Sequence, residues 1–254
     1  MRTVAVVLAA GSGHRFGGTL PKQLSLLAGR TLVEHCVRAF DLAPAVDEVL
    51  IVTAAEIAAR VRQDCAGYSS VADVIHGGTA RSDSTCRALD WLTARQAASA
   101  ASAGPQPGGA GAAGADWKVL FHDAARPLVD QRTIADTVAA LDRWQAVGVV
   151  VPSADTIVQV KDGAISRALP RDSLARCQTP QGFRLPVITR AYELAAADPG
   201  FAVVAPTDDC GVVLRYLPDV PVGVVAGSER NLKVTYPADL PIAETLLGSP
   251  ETAR

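Results

Sequence analysis

Short apolar runs alternate with amphipathic stretches along most of this chain, and that alternation limits the fold more than any other feature. Val4 to Ala9 is wholly apolar and rich in β-branched residues, the pattern of a central parallel strand buried on both faces. Further strands are expected at Val49–Val52, Val71–Ile75, Lys118–His122, Val147–Val151 and Val222–Val225. Between them, helical spacing marks Thr31–Phe40, with Thr31 as a cap, Ala54–Arg62, a helix opened by Ser82 or Ser84 and running through Leu92, and Gln131–Trp144. Pro186–Ala197, Asp208–Leu217 and Pro237–Leu247 complete the helices. Thr156 to Ser166 alternates around Asp162-Gly163, a hairpin signal. Strands alternating with helices imply βαβ units: an α/β fold with a mostly parallel twisted sheet and helices on both faces. Ligands in such folds sit beyond the carboxyl ends of the strands, so residues just after strands carry most weight.

Composition excludes several classes. Of 254 residues, 49% are apolar and 20% charged, which argues against disorder and leaves ample material for a core. The net charge of −2 gives no global attraction to nucleic acid or an anionic membrane, so phosphate chemistry has to come from local clusters of cations. Five cysteines without a Cys-x-x-Cys pair suit reduced thiols in a cytoplasmic protein and argue against disulfides or zinc. The apolar start of the chain is too short for a signal peptide or a membrane span. Ala97 to Ala115 is nearly all Ala, Gly, Ser and Pro, and reads either as an interdomain linker or as a flexible insertion at about 97–116 between a helix and the next strand. The resumption of the βα alternation behind it favours the insertion, within a single domain spanning 1–254.

The first strand runs into a Gly-rich loop ending in Pro21-Lys22-Gln23. A dinucleotide fingerprint fails there, because Gly11-Ser12-Gly13-His14-Arg15-Phe16 ends in Phe and Gly17, Gly18 and Pro21 prevent an immediate helix. A P-loop fails for want of Gly-Lys-Ser/Thr. What remains is a loop with two cations, Arg15 and Lys22, suited to stabilising charge on a polyphosphate. Gly77-Gly78-Thr79-Ala80-Arg81 follows the third strand, where Gly-Gly permits close backbone approach, Arg81 offers a fork of donors, and Ser82 or Ser84 reads as a helix cap. His122-Asp123-Ala124-Ala125-Arg126 follows the fourth. Asp123 is placed to hold Mg²⁺ on bridging phosphates, and Arg126 to reach a second substrate's phosphate; alternatively the two pair with each other and order the loop. Asp208 and Asp209 open a helix that Thr207 would cap. His14, His35, His76 and His122 show no ligand spacing or base partner, and Cys177 and Cys210 read as small buried apolar residues.

Together, Ala9-Ala10-Gly11-x-Gly13-x-Arg15, Pro21-Lys22-Gln23 and His122-Asp123-Ala124-Ala125-Arg126-Pro127 resemble the nucleotidyltransferases that activate sugar or polyol phosphates. Within these the chain is most similar to the 2-C-methyl-D-erythritol 4-phosphate cytidylyltransferase family, over almost its whole length. The resemblance implies a Rossmann-like sheet of the nucleotide-diphospho-sugar transferase type, with a protruding β-arm at about 152–176. It implies CTP as substrate, Mg²⁺ as cofactor, and a homodimer in which arms interlock. Arg15, Lys22, Arg171 and Lys233 would be catalytic. Ala9, Ala10, Gly11, Gly13, Gly78, Arg81, Ser84, Asp123 and Ala124 would bind CTP, with Asp123 also on the metal. Arg126, Thr156, Arg171, Thr179, Thr207 and Lys233 would bind the acceptor, Thr156 and Arg171 reaching across to the neighbouring subunit. Many family members carry an acid just before the residue matching Asn231; here Arg230 stands there and Glu229 one position earlier. The acceptor implied is 2-C-methyl-D-erythritol 4-phosphate, on the Ala-Ala-Gly of the first loop. D-ribitol 5-phosphate is the alternative, because Cys210 after Thr207-Asp208-Asp209 is similar to some polyol enzymes. An NAD(P)-dependent oxidoreductase and a non-catalytic nucleotide-binding protein are the remote alternatives.

Overall fold

The computed structural model describes residues 1–11, 16, 20–102, 116–201, 203 and 206–249. Strand β1 (Thr3–Ala9) leads to the short antiparallel pair β2 (Leu26–Leu27) and β3 (Arg30–Thr31), then helix α1 (Leu32–Asp41). There follow β4 (Glu48–Thr53), α2 (Ala58–Cys65), β5 (Val71–His76), α3 (Arg81–Ser102), β6 (Lys118–Asp123), α4 (Gln131–Ala140) and β7 (Ala146–Pro152). The ribbon strands β8 (Val158–Lys161) and β9 (Ala164–Ala168) precede β10 (Ala175–Arg184), α5 (Leu185–Ala197), α6 (Asp209–Tyr216), β11 (Val222–Ala226) and α7 (Asp239–Gly248).

Seven strands form one sheet in the order β11-β7-β10-β6-β1-β4-β5. All neighbours are parallel except β10, which runs antiparallel to both β6 and β7. β1 lies inside this sheet and shows why its sequence is continuously apolar. Ala5, Val7 and Ala9 pack into the core layer of α1, α2 and α4, while Val4 and Val6 pack into the layer of α3, α5 and α6. The predicted α/β fold with helices on both faces is therefore the observed one.

Three local expectations are corrected. α3 runs on to Ser102, so residues 97–102 of the expected insertion are helical; Ala is the best helix former and extends a helix already anchored by Ala88, Leu89 and Leu92. Residues 103–115 lie outside the described residues. β10 is a strand that no apolar run announced, because Gln178, Thr179, Pro180 and Gly182 interrupt its pattern; its register with β7 shifts between Gln178 and Gln181. Gly182 is required there, since a Cβ would stand 2.9 Å from Thr137 Cγ2 and 3.1 Å from Leu141 Cδ1. α6 is capped by Asp208, whose Oδ1 accepts from the Gly211 amide at 2.8 Å, and not by the exposed Thr207.

Candidate active site

The carboxyl ends of β1, β5 and β6 and the loop after β11 surround a cleft of about 300 Å³. Ala10, Gly11, Lys22, Gly78, Arg81, Ser84, Asp123, Ala124 and Lys233 line it, as do Phe16, Gln23 and Thr235. Residues drawn from sequence positions 10 to 235 thus converge at the place where α/β sheets bind ligands.

Two glycines bring the third loop against the first. A Cβ on Gly77 would stand 2.4 Å from Ala10 Cβ, and one on Gly78 would stand 2.2 Å from Asp83 Cβ. With both absent, α3 starts directly at the cleft wall. Asp83 Oδ2 accepts from the Ala80 amide at 2.9 Å and the Thr79 hydroxyl at 3.1 Å, closing the helix start as a capping box does. Neither Ser82 nor Ser84 is the cap. Ser84 is buried inside the first turn, where its Oγ accepts from the Gly78 amide at 3.2 Å.

Four charges of alternating sign cross the cleft wall. Asp209 Oδ2 pairs with Arg81 Nη2 at 2.7 Å, Arg81 Nε reaches Asp123 Oδ1 at 3.4 Å, and Asp123 Oδ2 accepts from Lys233 Nζ at 2.7 Å. Burial opposes ionisation of Asp123, but Arg81 and Lys233 outweigh it and hold the carboxyl well below the usual range. Burial likewise works against the Arg81 charge, yet Asp209 and Asp123 push its pKa above the ordinary arginine value. Backbone bonds fix the loop bearing Lys233: the Val234 amide donates to Ala125 O at 2.8 Å, and Lys22 Nζ donates to Val234 O at 2.9 Å. Lys22 and Lys233 are thereby held to the same segment, with Asp123 beneath.

Behind Asp123 lies a buried relay. Its backbone amide donates to Thr179 Oγ1 at 3.1 Å, and Thr179 Oγ1 stands 3.1 Å from His122 Nδ1. His122 Nε2 lies 3.0 Å from the carbonyl of Arg126, which can only accept, so Nε2 carries the proton and Thr179 donates to Nδ1. Burial pushes His122 down to about 4, which keeps the imidazole neutral.

Other expectations fare differently. Asp123 and Arg126 do not pair through their side chains; Arg126 donates to the carbonyls of Asn231 at 2.7 Å and Cys177 at 3.3 Å. Arg230 points away, to Leu246 O and, at 3.0 Å, to Ser249 O at the end of α7, while Glu229 pairs with Arg176. Thr156 and Arg171 are exposed on the segments flanking β8 and β9 and do not line the cleft; nor do Ala9, Thr179 and Thr207. Cys210 is buried as expected, but Cys177 is exposed. Gly13 and Arg15 lie outside the described residues. Residues the sequence reading missed are Gln23, which lines the cleft and donates to Ala9 O at 2.8 Å, and Asp209, taken for a helix-end acid. Asp209's partners come from α3 and α5, and no local pattern announces them.

The model of the family described as "IspD: 2-C-methyl-D-erythritol 4-phosphate cytidylyltransferase" matches residues 3–100 and 109–249. A protein named 2-C-methyl-D-erythritol 4-phosphate cytidylyltransferase from Thermobifida fusca (strain YX) is 48% identical, over 97% of this chain and 93% of that one. One from Bifidobacterium longum (strain DJO10A) is 41% identical, over 96% of this chain and 79% of that one. The bifunctional ribulose 5-phosphate reductase/CDP-ribitol pyrophosphorylase Bcs1 of Haemophilus influenzae is 35% identical, over 98% of this chain and 48% of that one. Among solved structures, the 2-C-methyl-D-erythritol 4-phosphate cytidylyltransferase of Thermus thermophilus superposes with a TM-score of 0.68 at 28% identity, covering 95% of this chain and 97% of that one. The 4-diphosphocytidyl-2C-methyl-D-erythritol synthase of Anaerococcus prevotii DSM 20548 shares the fold, with a TM-score of 0.78 at 23% identity over 98% and 96% of the two chains. With the family match spanning nearly the whole chain, and its motifs gathered at one cleft, this protein belongs to the 2-C-methyl-D-erythritol 4-phosphate cytidylyltransferase family of nucleotidyltransferases.

Proposed function

We propose that the chain transfers CMP from CTP to 2-C-methyl-D-erythritol 4-phosphate, giving 4-diphosphocytidyl-2-C-methyl-D-erythritol and pyrophosphate. The observation that carries this reading is the convergence of Lys22, Arg81 and Lys233 with the single carboxylate of Asp123 in one cleft. A phosphate oxygen of the acceptor attacks the α-phosphorus of CTP; the bond from that phosphorus to the bridging oxygen breaks, and pyrophosphate leaves with the electron pair. The attacking phosphate is already anionic near neutral pH, so the step needs positioning and charge neutralisation and no general base. That suits a site behind which His122 is neutral and occupied in hydrogen bonds.

In this reading Ala10, Gly11, Gly78, Ser84 and Ala124 shape the nucleotide site around Arg81 and Asp123, with Ala9 serving it through the carbonyl that holds Gln23, and with Gly13 and Arg15 added from the first loop. Lys22 and Arg15 neutralise the transition state and the leaving pyrophosphate. Lys233 leaves Asp123 to take the acceptor phosphate, which frees Oδ2. Among the described residues no group of three His, Cys, Asp or Glu side chains gathers to hold a metal. A lone carboxylate fits Mg²⁺ that draws its other ligands from phosphates and water, and such an ion supplies charge neutralisation when bound. Thr179 acts by holding the Asp123 backbone, and Arg126 by holding the loop of Asn231, so both serve the acceptor side through others. Thr207 would contact the acceptor from the start of α6.

The hairpin of β8 and β9 exposes Val160 and Ile165 at 66% and 69%. A two-stranded ribbon is marginal alone, and we assign those side chains to a homodimer interface that brings Thr156 and Arg171 to the neighbouring acceptor site. No described helix is long and apolar enough to cross a membrane, and all five cysteines are free, which supports a cytoplasmic enzyme. The test is pyrophosphate release from CTP and Mg²⁺ with 2-C-methyl-D-erythritol 4-phosphate or D-ribitol 5-phosphate as acceptor. The reading expects preference for the first; preference for the second moves the chain to the activity in the name of the Haemophilus relative.

A further inference from the structure

Asp209 lies behind the cleft wall and is wholly buried. Its Oδ1 accepts from the Tyr192 hydroxyl at 2.7 Å and the Thr85 hydroxyl at 3.0 Å. Its Oδ2 faces Arg81 Nη2 at 2.7 Å. Its backbone amide and that of Cys210 both donate to Gln181 Oε1 at 3.1 Å. Two elements, α3 and α5, therefore converge on this carboxylate of α6 while β10 holds its backbone, and its only charged partner in the ion pairs described is a cleft residue.

A buried carboxylate is costly unless paired, and structural anchoring of hydroxyls needs no charge. Arg81, by contrast, has two acidic claimants. The buried one is closer, at 2.7 Å against 3.4 Å for Asp123. Without Asp209, the guanidinium fork would have Asp123 as its one remaining acidic partner and would close on it in bidentate fashion. That collapse would occupy both Asp123 and the donors that face the cleft.

We infer that Asp209 is a positioning residue for the nucleotide: it tethers Arg81 from behind, so that the guanidinium stays in the cleft wall and Asp123 stays available. The inference rests on the cytidylyltransferase reading above. It predicts a defect specific to CTP. Asp209→Asn keeps the shape and an acceptor oxygen for the two hydroxyls but removes the charge that holds Arg81.

The experiment measures CTP binding by titration calorimetry with Mg²⁺ present, together with separate KM values for CTP and acceptor. Asp209→Asn is expected to raise the CTP Kd and KM by about tenfold or more, the scale of a lost charge-assisted contact. The acceptor KM should stay within about twofold, and Asp209→Asn combined with Arg81→Ala should bind CTP no more weakly than Arg81→Ala alone. Tyr192→Phe removes a hydrogen bond to the same carboxylate but touches neither charge; it should lower Tm and leave CTP affinity within about twofold. If Asp209→Asn does not fold, Asp209→Glu serves instead, since it keeps the charge and displaces the carboxylate by one methylene, and the same CTP-specific loss is expected. Wild-type CTP affinity in the variant that folds, or full additivity with Arg81→Ala, overturns the inference alone. Absence of CTP binding by the wild type overturns the cytidylyltransferase reading and this inference with it.

Discussion

Lys233 Nζ donates to Asp123 Oδ2 at 2.7 Å, across a gap that joins the loop after β11 to the end of β6. Arg81 reaches the other oxygen of the same carboxylate, so without substrate Asp123 is held between two cations. Lys233 stands where the acceptor phosphate is proposed to bind, and Arg81 faces the proposed nucleotide site. The acceptor phosphate then replaces Asp123 as the partner of Lys233, and the site exchanges an internal ion pair for an external one.

Lys22 is the first test of this arrangement. Its ammonium is fixed on Val234 O at 2.9 Å, next to Lys233, and faces the cleft. Lys22→Ala should lower kcat by about 10²-fold or more, as removal of one transition-state donor does, while circular dichroism and Tm stay close to wild type. Steady-state kinetics with wild-type turnover in this variant would contradict its role.

Arg230 gives the opposite expectation. Its guanidinium caps the carbonyls at the end of α7 and faces away from the cleft. Arg230→Ala should therefore lower Tm by a few degrees, the scale of about 1 kcal/mol in a domain of this size, and leave kcat and both KM values unchanged. A tenfold loss of kcat at constant Tm would place Arg230 in the chemistry after all.

His122 predicts the pH profile of stability. Burial lowers its pKa from the ordinary 6.5 to about 4. Between those values the unfolded chain binds the proton and the folded chain does not, so stability rises with pH, is complete above 6.5 and is lost as pH falls toward 4. Each pH unit in that window is worth up to about 1.4 kcal/mol. Denaturant titrations of wild type and His122→Asn from about pH 7 down to about pH 4.5 should show a steep acid decline in the first and a flatter one in the second. Parallel declines would mean that another group governs the acid limb.

The ribbon predicts an assembly. Replacing the exposed Val160 and Ile165 by Asp should turn a dimer into a monomer in sedimentation velocity, with loss of turnover but retained CTP binding. Full activity in a monomer would place Thr156 and Arg171 outside the acceptor site.

Much of this was legible in the sequence, for local reasons. Val4 to Ala9 announces a strand buried on both faces because every side chain in it is apolar, and Thr31 announces α1 because its hydroxyl accepts from the Glu34 amide at 3.3 Å. Asp123 and Arg81 stand out because they follow strands in Gly- and Ala-rich loops. What stayed hidden depends on distant partners. β10 is specified by Gly182 fitting against Thr137 and by pairing on both sides, not by its own pattern. Asp209 reads as a helix-end acid until Arg81, Thr85 and Tyr192 are folded around it. Thr179 carries no sign that its hydroxyl is spent between Asp123 and His122.

The most direct measurement is the phosphorus NMR spectrum of CTP, Mg²⁺ and 2-C-methyl-D-erythritol 4-phosphate incubated with the protein. The CTP and monoester resonances should disappear, and pyrophosphate and a new diphosphate diester should appear in equal amount. An unchanged spectrum, or inorganic phosphate with CDP, would contradict attack at the α-phosphorus and with it the proposed reaction.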